Sequence, residues 1–430
     1  MKFLHDLALR CACAGGTSLI LLLGSLSGLA HGAELSFAEA LALALREAPA
    51  LVADQVNVQA ARQTVVPAGE LPDPQLLLGI DNLPVDTADR FRVDRDSMTM
   101  RRIGLSQELP NRARLAARVS QAESRVGMAE AETRVTQLTV LRNTASAWIA
   151  RHTAELHLSH IEHLRTENHL FAETVKAQLA GGSGRAEDVV APRQEAVEIE
   201  LLRDKLLATR ERAIAQLRRY IGAAAESPLL GDVPEWTLDD ETLRLGLQHH
   251  PEVESFEPAA ELLDAEVAEA EASRRPDWAV ELAYQRRGSQ FSNMMSFQLS
   301  FDLPLWQGSR QSPLIAARRA ERMALDSERE AVRREYQAEL ESALAELARL
   351  DSNLRRQHQS LIPLADEKVA LTLASWRGGV GSLDAVVAAR RERIDIELQT
   401  ITLTGERQQL ATDMYLMFND PDGNRVGESQ

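Results

Sequence analysis

The chain carries one set of signals twice, about two hundred residues apart, and this limits its fold more than any other feature. Residues 179–195 read LAGGSGRAEDVVAPRQE, and residues 375–392 read SWRGGVGSLDAVVAARRE. Gly181, Gly182, Gly184, Val189, Val190, Arg193 and Glu195 fall on Gly378, Gly379, Gly381, Val386, Val387, Arg390 and Glu392 at a constant offset of 197. Leu41, Leu43, Leu45 and Pro49 meet Leu243, Leu245, Leu247 and Pro251 at offset 202, and Leu109-Pro110 meets Leu303-Pro304 at offset 194. Three markers in the same order identify a tandem duplication of one structural unit. The function of the chain therefore belongs to a pseudo-symmetric pair.

Residues 1–32 read as a removable export signal. Lys2 and Arg10 give a basic start, Leu19 to Leu29 an apolar core, and Ala30-His31-Gly32 small residues for cleavage. The core is too short to span a membrane as a helix, and no later stretch reaches about 18 consecutive apolar residues. The two cysteines, Cys11 and Cys13, lie in this segment, so the exported chain is expected to contain none. Disulfides, thiolate metal sites and a cysteine nucleophile are excluded on that reading, as is acylation of a mature N-terminal cysteine. Losing Lys2, Arg10 and Asp6 removes one net positive charge, taking the formal −16 to −17. Such a chain is a poor match for nucleic acid, whose binding depends on phosphate neutralisation by Lys and Arg.

The rest divides into a first repeat at 33–235, a second at 236–418 and a polar tail at 419–430. Each repeat opens on an amphipathic helix. The first is expected from Phe37 to Val66, starting at a Ser36-x-x-Glu39 capping pattern and stopped by Pro67, Pro72 and Pro74. The second is expected from Asp239 to Ser273. The period then changes from 3.6 to 2. Trp278, Val280, Leu282 and Tyr284 alternate with polar or small residues, and so do Met295, Phe297, Leu299, Phe301 and Leu303 after a polar turn. Leu76, Leu78 and Ile80 begin the matching hairpin of the first repeat, which returns from Met98 to Leu109. Its apolar phase slips near Arg101-Arg102, as a bulge or a change from lipid to packed surroundings would cause.

Long helical stretches follow, Arg112 to Leu179 and Pro313 to Trp376. A helix of about 65 residues reaches roughly 100 Å. Leu115, Val119, Ala122, Val126 and Ala129 step by four and three, as do Leu340, Leu344 and Leu347, which is coiled-coil spacing with small side chains. Pro363 marks a kink or junction. After each glycine-rich turn a helix returns, Ala186 to Tyr220 or Ser382 to Met417.

Enzymatic motifs are missing. GGSG at 181–184 lacks the Lys-Ser/Thr of a phosphate loop and lies between helices, and there is no G-x-S-x-G or H-E-x-x-H. No cofactor is implied. His152, His157, His160, His163 and His169 crowd one helix, and three of them are spaced by three, so a transient metal contact is one reading; the ordinary reading is a polar helix face. Met98, Met100, Met294 and Met295 could relay a soft metal, but apolar strand filler explains them as well. The acids beside the glycine turns, Glu187, Asp188 and Asp384, are either dipole partners of their helices or a ring of carboxylates at the mouth of a tube.

Four short strands with one apolar face cannot close a barrel, since the smallest membrane barrels have about eight. An exported chain with such strands has to pool them with other copies, leaving its helices in water. On these residues the chain resembles the TolC-like outer-membrane efflux duct family: the duplicated glycine turns with VVA-x-R-x-E, the hairpins ending SQELP and SFDLP, and the repeated helix–hairpin–helix order. The resemblance implies a mainly α fold with a small β part. Three protomers would form an outer-membrane β-barrel continued by a periplasmic α-helical barrel, closed near the tip turns Gly181, Gly182, Gly184, Gly378, Gly379 and Gly381. Asp384, Glu187 and Asp188 become candidates for the constriction. Trp278, Val280, Leu282, Tyr284, Phe297, Leu299 and Phe301 become candidates for the lipid-facing surface. The implied partners are two further copies of the chain, a periplasmic adaptor (membrane fusion) protein, an inner-membrane pump of the resistance-nodulation-division type and outer-membrane lipid, in a Gram-negative bacterium.

LPDPQLLLGIDNLP and MTMRRIGLSQELP resemble the heavy-metal branch (CzcC- and CusC-like), which implies export of copper, silver, zinc, cobalt or cadmium cations. Pro192 departs from Ala389 in the second tip. Alternatives remain open: a duct for drugs or other small molecules, a duct for type I protein secretion, or, from another class, a periplasmic adaptor. Duplicated strands argue against the adaptor.

Overall fold

A computed structural model describes residues 34–86, 88–182 and 185–418; the export signal, the tail at 419–430 and Gly184 lie outside the described residues. The first repeat begins with a two-residue strand β1 (Leu35–Ser36) leading into α1 (Phe37–Glu47). The Ser36 hydroxyl accepts from the Glu39 N–H at 3.2 Å, the first half of the capping pattern. The expected single helix is in fact two. Ala48 is extended and Pro49 starts α2 (Pro49–Gly69) at its first position, where a missing N–H costs nothing. The helix also runs through Pro67 instead of stopping before it. Pro67 lies in the last turn, where it forgoes one bond to the carbonyl four residues back and only two helical residues follow it.

Two strands follow, β2 (Gln75–Asp81) and β3 (Met100–Leu109), then α3 (Arg112–Ala180), unbroken over 69 residues and about 100 Å long. Asn111 caps it by accepting from the Arg114 N–H at 3.0 Å. A 3₁₀ turn at Ala186–Val189 opens the return helix α4 (Val190–Ile221). The short β4 (Leu229–Leu230) pairs in parallel with β1, joining the two ends of the first repeat.

The second repeat reproduces the order. α5 (Asp240–Gly246), α6 (Pro251–Glu254) and α7 (Phe256–Ala272) replace the expected continuous helix, with one break at His250-Pro251, the duplicate of Ala48-Pro49, and a second at Ser255. β5 (Trp278–Arg286) and β6 (Met294–Phe301) form the hairpin. The second long stretch is α8 (Gln311–Arg356) and α9 (Ile362–Arg377), joined by a π-helical turn at Gln357–Leu361. That wider turn comes just before Pro363, whose ring would otherwise strike the carbonyl four residues back. α10 (Leu383–Phe418) returns and ends the described chain.

The apolar residues that match at offset 202 nucleate two equivalent cores. Leu41 packs with Phe37, Trp148 and Leu217, and Leu243 and Leu247 pack with Leu340, Met414 and Phe418. Trp148 meets Phe37 edge-on at 5.4 Å and donates from Nε1 to the Leu35 carbonyl at 3.3 Å. Two smaller apolar clusters lie toward the glycine turns, one around Phe171, Trp376 and Val386, the other around Ile161, Leu164 and Ile394. Each contains residues from both repeats, so the halves form one body.

Candidate functional site

The four hairpin strands form one antiparallel sheet in the order β2-β3-β5-β6, with the two repeats meeting at β3 and β5. The register is constant along β3 against both neighbours, from Asp81↔Met100 to Gln75↔Ser106 and from Arg101↔Arg286 to Leu109↔Trp278. The expected bulge near Arg101-Arg102 is therefore absent. The phase slip has another cause: Met98 precedes the strand, whose pairing begins only at Met100, on the face opposite Ile103 and Leu105.

Constant register places one kind of side chain in each row. Leu78, Ile103, Tyr284 and Met295 form one cross-strand row, and Leu76, Leu105, Leu282 and Phe297 the next. Val280 with Leu299, and Trp278 with Phe301, extend the same face. All seven residues singled out in β5 and β6 share it. Most of this face is exposed in the single chain, which is an unusually large apolar surface for water to cover. The opposite face is mostly polar or small, with Leu77, Met100 and Met294 as its larger apolar members. Arg102 lies 3.6 Å from Glu281 and 4.0 Å from Asp81, and Gln285 donates to the Ser296 hydroxyl at 3.0 Å. Gly104 has to be glycine here: a Cβ would sit 2.9 Å from the Ala283 Cβ and 3.1 Å from the Leu282 carbonyl.

The sheet is fixed to the helices by one polar joint. Asp277 accepts from the Asn111 N–H and side-chain amide, each at 2.8 Å, and forms an ion pair with Arg114. The first turn of the first repeat's long helix is thereby tied to the first residue before the second repeat's strands.

At the other end, Gly181 and Gly378 cap α3 and α9 in equivalent ways, donating to the Ala177 and Ala374 carbonyls at 3.0 Å. Gly182 and Gly379 follow at φ +79° and +75°, the left-handed conformation that ends many helices and that glycine adopts without strain. The acids nearby differ. Asp188 accepts from the Arg185 N–H at 2.9 Å and caps its own turn, while Glu187 takes the Arg185 guanidinium at 3.1 Å. In the second repeat the Ser382 hydroxyl accepts from the Ala385 N–H. Asp384 is exposed and has no ion pair among the described residues. Pro192 replaces Ala389 in the first turn of α4, where its missing N–H has no intrahelical partner to lose.

Farther up the helices, Arg390 and Glu195 form a buried ion pair at 3.2 Å, with the Arg390 guanidinium 4.8 Å above the Phe171 ring. Arg390 and Glu195 both belong to the repeated motif, but the motif alone does not say that they pair across repeats. The signal was present: an Arg and a Glu two residues apart, kept in both copies.

The histidines of α3 mostly turn inward and do not form a solvated face. His157 bonds the Thr153 and Leu398 carbonyls, His160 the Glu397 carboxylate at 3.0 Å, and His152 stacks on Trp148. Among the described residues no group of three His, Cys, Asp or Glu side chains is placed to hold a metal, and no helix is long and apolar enough to cross a membrane.

A helix-rich duplicated chain with an outward apolar sheet at one end and paired helical tips at the other defines a membrane channel protomer. The family model described as outer membrane efflux protein matches residues 40–223 and 242–419, and the chain belongs to that family. Several solved structures share the fold. A membrane protein from Pseudomonas aeruginosa superposes with TM-score 0.76 at 16% identity, covering 91% of this chain and 92% of that one. CusC gives 0.72 at 17% identity over 89% and 91%. VceC from Vibrio cholerae gives 0.70 at 16% identity over 89% and 96%. No curated protein matches the chain. The protein is thus an outer-membrane efflux channel, not an enzyme, with the β-barrel and periplasmic α-helical barrel of its class.

Proposed function

We propose that this channel is the exit duct of a tripartite system that exports heavy-metal cations, working as a homotrimer with a periplasmic adaptor and a resistance-nodulation-division pump. The observation that carries the cargo is the likeness of residues 71–84 and 98–110, which form β2, β3 and their flanks, to the heavy-metal branch. The acidic balance of the chain agrees with a cationic cargo. A conduit needs no tight metal site, because a site that binds strongly conducts slowly. Deleting the gene is expected to sensitise cells to one or more of copper, silver, zinc, cobalt and cadmium while tolerance to bulky dyes and antibiotics stays unchanged. The reverse pattern would reassign the cargo to drugs or other small molecules.

Within the same reading, Asp384 is the principal acid of the periplasmic constriction, with Glu187 and Asp188 beside it. Its exposure and lack of an ion pair favour it, whereas Glu187 shares an exposed ion pair with Arg185 and Asp188 serves as a cap. Planar-bilayer recording tests the role. Asp384→Ala should alter conductance or cation preference with trimer stability nearly unchanged. A variant that only melts slightly earlier and conducts like the parent would make Asp384 a helix cap, worth about 0.3–1 kcal/mol.

A further inference from the structure

The duplication assigns every joint between the two repeats of one protomer a counterpart elsewhere. In a closed ring of three protomers the units alternate, so contacts of the second repeat on the first are repeated by the first repeat of one subunit on the second repeat of its neighbour. At offset 197, the Arg390–Glu195 pair maps onto Arg193 and Glu392. Arg193 is exposed, and its guanidinium forms no ion pair or hydrogen bond within its own protomer among the described residues. Glu392 is on the surface, held by Lys368.

The apolar residues follow the same rule. Val190, Val197 and Leu201 map onto Val387, Ile394 and Leu398, which pack into the two clusters between the repeats. In the single chain Val190, Val197 and Leu201 are 59%, 60% and 65% exposed, against 9% for Ile394. A stripe at spacings of seven and four along one helix is a packing face without its partner. The pairing chemistry also changes in step on both sides. Glu167 and Arg393 form an ion pair within the protomer, and their counterparts are Leu364, which is exposed, and Ala196. One partner switching from charged to apolar would leave an unpaired charge; both switching preserves the fit.

We infer that α4 of one subunit docks on α9 and α10 of the next, with Arg193 paired to the partner subunit's Glu392 and the Val190–Val197–Leu201 stripe buried in the seam. The proposal rests on the trimeric reading. It also makes this seam the weaker of the two joints. Phe171, which carries the Arg390 guanidinium on its ring, is replaced by Lys368, so Arg193 gains no ring and shares its carboxylate with a second cation.

A thiol cross-link tests the contact, since the chain's two cysteines lie at 11 and 13, before the described residues. Arg193→Cys with Glu392→Cys, treated with a short bis-maleimide in detergent, should give covalent dimers and trimers on denaturing gels. Glu195→Cys with Arg390→Cys should give only linked monomers. If the first pair also stays monomeric while light scattering of the same sample shows a trimer, the seam is wrong and the trimer stands. A monomer by light scattering without cross-linker overturns the trimeric reading itself. Charge reversal supplies an independent measure. Arg193→Glu should shorten the detergent lifetime of the trimer by about tenfold or more, as like charges facing each other in an interface do, and adding Glu392→Arg should restore it. An unchanged lifetime for the single variant would refute the pairing.

Discussion

The buried pair of Arg390 and Glu195 offers the sharpest test of how the two repeats hold together. Their side chains are about one-tenth exposed, and Glu195 Oε2 has no hydrogen-bond partner. Glu195 therefore depends on Arg390 for most of its charge compensation. Arg390→Met removes the guanidinium but keeps much of the volume over Phe171, stranding a carboxylate in a site that water barely reaches. Breaking one side of such a pair costs about 3–5 kcal/mol, and the lost cation–π contact adds roughly 0.5–2 kcal/mol. The cost should appear locally, because these residues lie near the tips and not in the two larger cores. At about 1.4 kcal/mol per decade, that total of about 3.5–7 kcal/mol means amide protons in 190–200 and 383–395 should exchange roughly three-hundredfold to a hundred-thousandfold faster, up to the limit set by local opening, with those around Trp148 unaffected. The double variant Arg390→Met with Glu195→Met replaces the pair by two apolar side chains, for which the expectation is near-wild-type or better stability. Hydrogen exchange followed by mass spectrometry distinguishes the cases. If the double variant exchanges as fast as the single one, the loss comes from packing and the electrostatic account is wrong.

Three other outcomes follow from the same structure. Leu299→Arg, on the apolar row with Val280, should hinder membrane insertion by about 2–4 kcal/mol if it lies near the bilayer midplane, whereas Ser300→Arg on the opposite face should insert normally; equal heat-modifiability of the two would mean that the faces are misassigned. Gly104→Val should reduce the yield of assembled channel by pushing β3 off β5, at a cost of about 1–3 kcal/mol, with partial recovery when Ala283, the nearest obstacle, is changed to Gly. His250 is 2% exposed and packs its ring, tilted by 33°, against Tyr336; burial holds its pKa down to about 4, helped by Arg142 and opposed by Glu252. Because the folded value lies below the unfolded one, its neutral state destabilises the fold as pH falls from about 6.5 to about 4, by at most roughly 3 kcal/mol. His250→Phe should flatten that part of the stability curve measured by thermal melting.

Much of this was legible because two periods and one repeat distance dominate the chain. Strict alternation in Trp278–Tyr284 and Met295–Phe301 determined the face of each residue, and the sheet register preserves it. Helix interruptions were harder to read. Pro49 at a helix start and Pro67 near a helix end look alike in sequence, but a first-position proline accompanies a break and a near-terminal one is absorbed. Pro363 marks the junction of α8 and α9 in the sequence, but nothing in the residues says that the backbone meets it with a π-helical turn. The histidines misled for a related reason: on a helix that contacts several neighbours, polar side chains also find partners inward, as His157 does at the Leu398 carbonyl. Arg390 and Glu195 were visible as repeated residues, but only packing decides which copy's arginine meets which copy's glutamate.

The duplication also separates what six-fold geometry imposes from what the residues choose. Gly182 and Gly379 keep the same left-handed turn because the helix reversal requires it in both repeats. Charge is under no such constraint, and it differs. Arg185 pairs with Glu187, but the residue at its duplicate position is Ser382, so Asp384 has no paired cation among the described residues. Around a trimer, the tips would then alternate between Glu187 paired to Arg185 beside the capping Asp188, and a single unpaired Asp384. The lateral joints alternate in the same sense, with Phe171 beneath Arg390 inside a protomer and Lys368 at the matching place on its outer side. A ring built this way should open by separation between subunits, since each subunit keeps its internal joint while the less well-packed seam gives way.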